Sequence, residues 1–207
     1  MNIPTLPQAE AYLSEAQALN PGPWVQHSLW AARAAQAIAA HHPDLDPAAA
    51  YILGLLHDIG RRVGVTGMRH VLDGYRFLQS QGFEDAARSC LTHSFPSKNV
   101  ASIPGKWDGS AAELRFVEDY LARIEYTVYD RLIQLADVVA LPSGFCLIEQ
   151  RLVDVTLRYG FNVHTLQKWR AFLDLRREFE AAIHCSIYAV LPGVVENTFG
   201  ELRGNVE

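Results

Sequence analysis

The sequence has few cysteines, and their spacing does not suggest that they are paired. Cys90, Cys146 and Cys185 are odd in number and contain no Cys-X-X-Cys pattern. Both features argue against a disulfide framework. We therefore expect three reduced and mostly buried thiols in a cytoplasmic protein.

Long apolar runs and an excess of positive charge are missing as well. No uninterrupted apolar stretch approaches the ~20 residues that a membrane-spanning helix needs, and the first residues do not have the basic and apolar regions of a secretory signal. The formal net charge is −5, whereas proteins that bind nucleic acid generally present a basic face. We expect neither a membrane span nor bulk nucleic-acid binding.

The sequence contains no alternating strand pattern of any length and no internal repeat. Its 207 residues, 49% of them apolar, are enough to form one substantial core. We predict an all-α fold, with a compact helical core and additional C-terminal helices. Residues 1–185 are expected to form a single domain and residues 186–207 a tail with a frayed end.

Apolar periodicity and the positions of proline and glycine predict where the helices lie. The predicted helices span residues 6–19, 24–41, 47–56, 68–81, 84–94, 110–124, 127–141, 146–159 and 165–183. Residues 97–109 form the one long irregular segment, and a loop of this length in a compact domain is more often a lid or binding loop than an idle connection.

The third predicted helix is the most apolar element of the chain. Asp46 is its expected N-cap, and the run from Ala48 to Leu56 contains no charged residue. The run ends in the adjacent pair His57 and Asp58. Because an unpaired buried charge is very costly, this pair needs compensation, and a divalent metal suits both residue types.

Four further polar residues are predicted to face inward from other helices. His27 and His93 share helix faces with small residues, His70 lies one turn before Gly74, and Asp137 lies on an apolar stripe. Each of them alone is explained at least as well by a structural role. Together they indicate a common reason for burying so many histidines and aspartates in one domain.

The order His, His-Asp, Asp resembles the HD-domain superfamily of metal-dependent phosphohydrolases, which is named for the pair seen here as His57-Asp58. His27 matches the family's histidine on the first helix, and Asp137 stands in the expected Leu-Ala-Asp setting. The resemblance covers roughly residues 24–141. It implies an all-α core and a metal centre.

Some members of that superfamily have two additional histidines and hold two metal ions, and His70 and His93 occupy those slots. The resemblance therefore implies the binuclear type, with Asp58 as the bridging carboxylate. One ion would take His27, His57, Asp58 and Asp137, and the other would take Asp58, His70 and His93. Imidazole and carboxylate ligands suit Fe, Mn or Zn, and the sequence does not choose among them.

Several cations lie close in sequence to these ligands and are candidates to bind a phosphate. Family members often carry Lys or Arg three residues after the HD aspartate, a position that is Arg61 here. We assign catalytic roles to Asp58 and Arg61. The predicted substrate-binding residues are Arg61, Arg62, Arg69 and Lys98.

The favoured function is hydrolysis of a small phosphorylated compound, with a nucleotide as the preferred substrate. The ED extension of guanosine-tetraphosphate hydrolases does not follow His57-Asp58, and Asp73-Gly74-Tyr75 only partly matches the GYP signature of cyclic-di-GMP phosphodiesterases. The opening His27-Ser28-Leu29 is similar to bacterial diadenosine-tetraphosphate hydrolases, but the residues after His93 are not.

Two alternatives remain open at this stage. Relatives of this fold use the same ligands as diiron oxygenases that cleave C–C or C–P bonds. A non-enzymatic protein with a structural metal is the third reading, although such a metal would not need six ligands around an open site. The amphipathic C-terminal helices, outside the resemblance, could cover the core, complete the pocket or form a homodimer.

Overall fold

In the computed structural model, which describes residues 1–200, several helices begin at capping residues that the sequence provides. The Asp46 carboxylate accepts a hydrogen bond from the Ala48 amide, and Ser110 and Thr127 form capping boxes. The α-helices are α1 (Leu6–Leu19), α2 (Trp24–Ala39), α3 (Pro47–Leu56), α4 (His70–Ser80), α5 (Glu84–Thr92), α6 (Ala111–Arg123), α7 (Val128–Val138), α8 (Ile148–Tyr159), α9 (Thr165–Ile183) and α10 (Val194–Phe199). The predicted all-α class is confirmed. Among the described residues, no helix combines the length and apolarity needed to cross a membrane.

A small hairpin follows α7, where a longer helix was predicted. The helix ends at Val138 rather than at residue 141, and β1 (Ala140–Leu141) pairs antiparallel with β2 (Gly144–Phe145). Pro142 cannot continue a helix, and Gly144 takes a φ of +146° that disfavours other residues. The hairpin turns the chain back, so that the carbonyl of Ala140 faces α2.

Helices α2 and α3 pack against each other unusually closely. A Cβ at Gly54 would lie 2.7 Å from the Cα of Ala32, so only glycine allows the two backbones to approach this far. Apolar side chains of α3, such as Leu53 and Leu55, are fully buried on either side of this contact. The approach brings the side chains of His27 and His57 together.

A second close approach joins the 3₁₀ helix Ile59–Val63 to α4. A Cβ at Gly60 would lie 2.0 Å from the carbonyl oxygen of His70, and a Cβ at Gly74 would lie 3.1 Å from the Gly60 amide nitrogen. Both glycines therefore face a backbone that a side chain would displace. This crossing sets His70 beside Asp58.

The segment after α9 packs against the main core. Ile187, Leu191 and Val194 are buried there, and the Asn197 side chain donates a hydrogen bond to the carbonyl of Phe145. Residues 186–207 are the predicted tail; within it, the stretch as far as Phe199 contains α10 and contributes buried apolar residues. The rest of that prediction, residues 201–207, lies outside the described residues.

Candidate metal centre

The structure brings all six predicted metal ligands together. Five of them line one cavity, and the sixth, His57, is fully buried beside them. The six come from different elements: α2, the end of α3, the start of the adjoining 3₁₀ helix, the start of α4, the end of α5, and α7. In that order, these residues are His27, His57, Asp58, His70, His93 and Asp137. Five of them are buried, and Asp137 has 18% of its side chain exposed, toward the cavity.

Each of the four imidazole rings is oriented by a backbone carbonyl at its Nδ1. These distances are 3.1 Å from His27 to Ala140, 2.7 Å from His57 to Gly54, 2.5 Å from His70 to Gly67 and 2.9 Å from His93 to Cys90. A carbonyl oxygen can only accept, so Nδ1 carries the proton in every ring. In the neutral rings, Nε2 is then a bare lone pair, which is the form that binds a metal.

All four Nε2 atoms converge on the two carboxylates. His27 Nε2 lies 2.9 Å and His57 Nε2 3.8 Å from Asp137 Oδ1. On the other side, His70 Nε2 lies 3.0 Å and His93 Nε2 3.6 Å from Asp58 Oδ1. Donor atoms of His27, His57 and Asp58 lie within 4.8 Å of one another, and so do those of Asp58, His70 and His93. The arrangement forms two adjacent triads that share Asp58.

The residues present fit metal ions. Lone pairs of nitrogen and oxygen face one another across 3–4 Å, an arrangement that repels unless a cation or a proton lies between them. His70 Nε2 is buried and has no hydrogen-bond partner among the described residues, although Asp58 Oδ1 is only 3.0 Å away. A buried polar atom without a partner is costly, and a cation would satisfy it. Imidazole and carboxylate donors suit Fe, Mn or Zn.

The charges of the centre also favour cation binding. Burial raises the pKa of Asp58, but the neighbouring groups, above all the Arg61 guanidinium, outweigh burial and hold the pKa well below its usual range. Burial, reinforced by His57, lowers the pKa of His93 to about 3. Burial likewise lowers the pKa of His57. At neutral pH the centre therefore presents an ionised carboxylate beside the neutral rings of His57 and His93, the protonation state in which these groups bind metals.

A cavity of about 170 Å³ opens above the ligands. It is large enough for a small organic molecule, because one water occupies only about 10–15 Å³ on the same measure. Ser102, Ile103 and Pro104, from the irregular segment predicted to be a lid or binding loop, form part of its wall. Residues of α8 and α9 form another part of the wall.

Of the four cations predicted to bind substrate, only Arg61 lines this cavity. Its Nε donates a hydrogen bond to Asp58 Oδ2 at 2.7 Å, and 29% of its side chain is exposed. Arg61 therefore orients the shared carboxylate while part of its guanidinium remains accessible from the cavity.

The structure does not bring Arg62, Arg69 and Lys98 to the cavity. The Arg62 guanidinium pairs with Glu15 at 2.8 Å and lies 3.8 Å from the centre of the Phe77 ring. The Arg69 Nε lies 3.3 Å from Asp73 Oδ1, and Lys98 Nζ donates to the carbonyl of Ile124 at 2.5 Å. Adjacency in sequence to a ligand was a poor guide here, because successive helical residues point in different directions.

Sequence reasoning missed three cations of the cavity, Arg151, Arg158 and Lys168. They lie on α8 and α9, outside the stretch that carries the resemblance. A signal was available for two of them. Arg151 follows Ile148 at helical spacing and Lys168 precedes Phe172 in the same way, so both charges fall on otherwise apolar stripes.

Comparison with known proteins gives one finding. The family model described as HD domain matches residues 24–141, which is more than half of the chain and includes all six clustered residues. No curated protein and no solved structure matches the chain. The matched segment folds into helices that bring the His-Asp pair, three further histidines and a late aspartate together. The chain therefore belongs to the HD-domain family.

Proposed function

We propose that this protein is a metal-dependent phosphohydrolase that cleaves a small phosphorylated compound, with a nucleotide as the favoured substrate. Membership of the HD-domain family implies metal-dependent activity of the hydrolase type. The observation that carries the finer proposal is the charge of the cavity. Four cations line it against two carboxylates, in a chain whose formal net charge is −5. Such a local excess of positive charge attracts an anionic substrate.

Two ions would be held by the two triads described above, with Asp137 as a further ligand of the first ion. In this assignment, His27, His57, Asp58 and Asp137 hold one ion and Asp58, His70 and His93 hold the other. When bound, the ions supply Lewis-acid stabilisation of phosphoryl oxygens and lower the pKa of coordinated water. The backbone carbonyls at the four Nδ1 atoms fix the rings for this purpose, since such contacts orient a ligand and raise its basicity.

The chain's own residues would position the substrate and stabilise its charge. In hydrolysis the oxygen of water forms a bond to phosphorus, the bond from phosphorus to the leaving oxygen breaks, and a proton passes to that oxygen. Arg61 would neutralise charge that develops on the phosphoryl oxygens while its Nε keeps Asp58 in place. Phosphoryl transfer depends mainly on such positioning and charge stabilisation.

The preference for a nucleotide is supported by aromatic residues in the cavity wall. Tyr159, Trp169 and Phe172 line it on the side of α8 and α9. A planar base can stack on aromatic rings of this kind, and a phosphate cannot. A substrate with one anionic end and one flat apolar end would use both features.

The test is a substrate panel with metal-loaded enzyme. Nucleoside mono-, di- and triphosphates, dinucleoside polyphosphates and phosphonates are incubated with and without oxygen, and phosphate, nucleoside phosphates and oxidised products are measured. Release of phosphate or a nucleoside phosphate at the same rate with and without oxygen supports the proposal. Turnover that requires both iron and oxygen would replace it by the diiron oxygenase.

A further inference from the structure

Arg151 and Lys168 place two positive charges on the wall of the cavity that α8 and α9 provide. Both lie outside residues 24–141, so the family match assigns them no role. Each is set among apolar neighbours that also line the cavity, Leu152 beside Arg151 and Phe172 one turn after Lys168. The Lys168 Nζ lies 5.9 Å from the centre of the Phe172 ring.

Arg151 has donors that the described residues use only in part. Its Nη2 is 3.9 Å from Asp137 Oδ1, and its Nη1 is 3.4 Å from Asp154 Oδ2. Both distances are too long for strong charge-assisted hydrogen bonds, which are about 2.7–2.9 Å. The Nε of Arg151 is buried without a partner among residues 1–200. Only 17% of this side chain is exposed, so water does not readily supply the missing hydrogen-bond acceptors.

Lys168 is half-buried and lines the same cavity. Within the described part of the chain Lys168 takes part in no ion pair, and Asp137 is the charged group that acts on its pKa. Burial lowers its pKa to about 8, and Asp137 offsets this only in part. Placing a lysine there is costly unless an anion accompanies it.

We propose that Arg151 and Lys168 form a subsite for a phosphate group of the substrate, beside Asp137 and within reach of the metal centre. The guanidinium offers a planar fork of donors that matches phosphate oxygens, and the ammonium adds a mobile point charge. An anion bound between them would satisfy the free Arg151 donors and the Lys168 charge together. This proposal rests on the proposed function for the identity of the ligand.

The test measures binding of inorganic phosphate by ³¹P NMR titration, in metal-free and in metal-loaded protein. Lys168→Met removes the charge and keeps most of the apolar stem, and Lys168→Arg keeps the charge. Lys106→Met makes the same substitution at an exposed lysine outside the cavity. We expect Lys168→Met to raise the dissociation constant of phosphate about tenfold in both forms, as the loss of one charged hydrogen bond does. Arg151→Met should act in the same direction, whereas Lys168→Arg and Lys106→Met should bind like the wild type.

Phosphate binding to metal-free protein that is equal in the wild type and in Lys168→Met would overturn the subsite. The two proposals fail separately. A Lys168-dependent phosphate site in a protein that hydrolyses no phosphorylated compound supports the subsite and removes the proposed hydrolase. A protein that hydrolyses a phosphorylated compound, but whose phosphate binding does not depend on Lys168 or Arg151, supports the hydrolase and removes the subsite.

Discussion

The Nε2 atoms of His27 and His57 lie 3.3 Å apart, although the Nδ1 of each ring already contacts a backbone carbonyl. With the Nδ1 atoms as donors, two neutral rings have no proton to share across this gap. The rings are held in place by the packing of α2 on α3 at Gly54 and by the Ala140 carbonyl of the hairpin. The fold thus presents two lone pairs to the same point, which is the geometry of a metal ligand pair.

Metal ions should stabilise the folded protein, because the ligands are gathered only in that state. Adding Mn²⁺ at about a hundred times its dissociation constant should raise Tm by roughly 5–10 °C. In His57→Ala the rise should be largely lost. His41, an exposed histidine that does not line the cavity, provides the control: His41→Ala should keep the full rise in differential scanning calorimetry. An equal rise in His57→Ala would mean that the metal binds elsewhere.

The two triads predict a graded loss of metal. The Nε2 atoms of His70 and His93 lie 3.0 and 3.6 Å from Asp58 Oδ1. Replacing either by alanine should reduce the metal content from about two ions per chain to about one, since the ligands of the other ion remain. Metal analysis after dialysis measures this directly, with circular dichroism as the check on folding. If both variants retain two ions, the binuclear assignment is wrong.

Alanine substitutions of the two aspartates of α7 should have opposite effects on stability and on metal content. Asp130 is 1% exposed and binds Arg88 Nε at 2.9 Å and Thr92 Oγ1 at 2.8 Å, whereas Asp137 faces the cavity. Asp130→Ala leaves a partly buried arginine without its partner and should lower the free energy of unfolding by about 3 kcal/mol. Its metal content should stay unchanged. Asp137→Ala should lose metal with a smaller effect on the stability of the metal-free protein, measured by urea denaturation. If Asp130→Ala lost metal and Asp137→Ala kept it, the structural role of Asp130 and the metal-binding role of Asp137 would both be wrong.

Local sequence signals predicted the helices of the core well. The start of α3 at Asp46 and Pro47 and the start of α6 at Ser110 depend on capping groups that act within one turn. The six clustered residues were first selected as inward-facing polar residues, and the resemblance to the HD-domain superfamily implied that they form one ligand set. The helix ends were less certain, as at Val138, where the hairpin competes with the last turn of α7.

The cations of the cavity could be predicted only in part: Arg61 was, and the apolar stripes around Arg151 and Lys168 indicate that they face inward but not what they face. Whether Arg62 or Arg151 reaches the site depends on how α1 and α8 pack on the core, which no short sequence pattern specifies. Arg62 forms an ion pair with Glu15 on α1 and lies over the ring of Phe77. Arg151 reaches Asp137 only because α8 folds back over the centre. Long-range packing, rather than sequence distance from His57-Asp58, decides which charges a substrate meets.

The close packing of α2 on α3 should be sensitive to one methyl group. In Gly54→Ala the new Cβ would meet the Ala32 backbone at 2.7 Å, so the helices must move apart. We expect a loss of roughly 1–3 kcal/mol in the free energy of unfolding, and weaker metal binding because His27 and His57 separate. Gln36→Ala on the exposed face of α2 is the control and should change stability by less than about 0.5 kcal/mol. Unchanged stability and metal affinity in Gly54→Ala would contradict this account of how the ligands are brought together.

Metal analysis of anaerobically purified Asp58→Ala beside the wild type tests the central claim most directly. Asp58 is the one carboxylate that both triads share, and it is 4% exposed at the centre of the cluster. By inductively coupled plasma mass spectrometry, we predict about two ions of Fe, Mn or Zn per wild-type chain. For a folded Asp58→Ala protein we predict fewer than one. Equal metal content in the two proteins, or no metal in the wild type after reconstitution, would contradict the metal centre on which the proposed function depends.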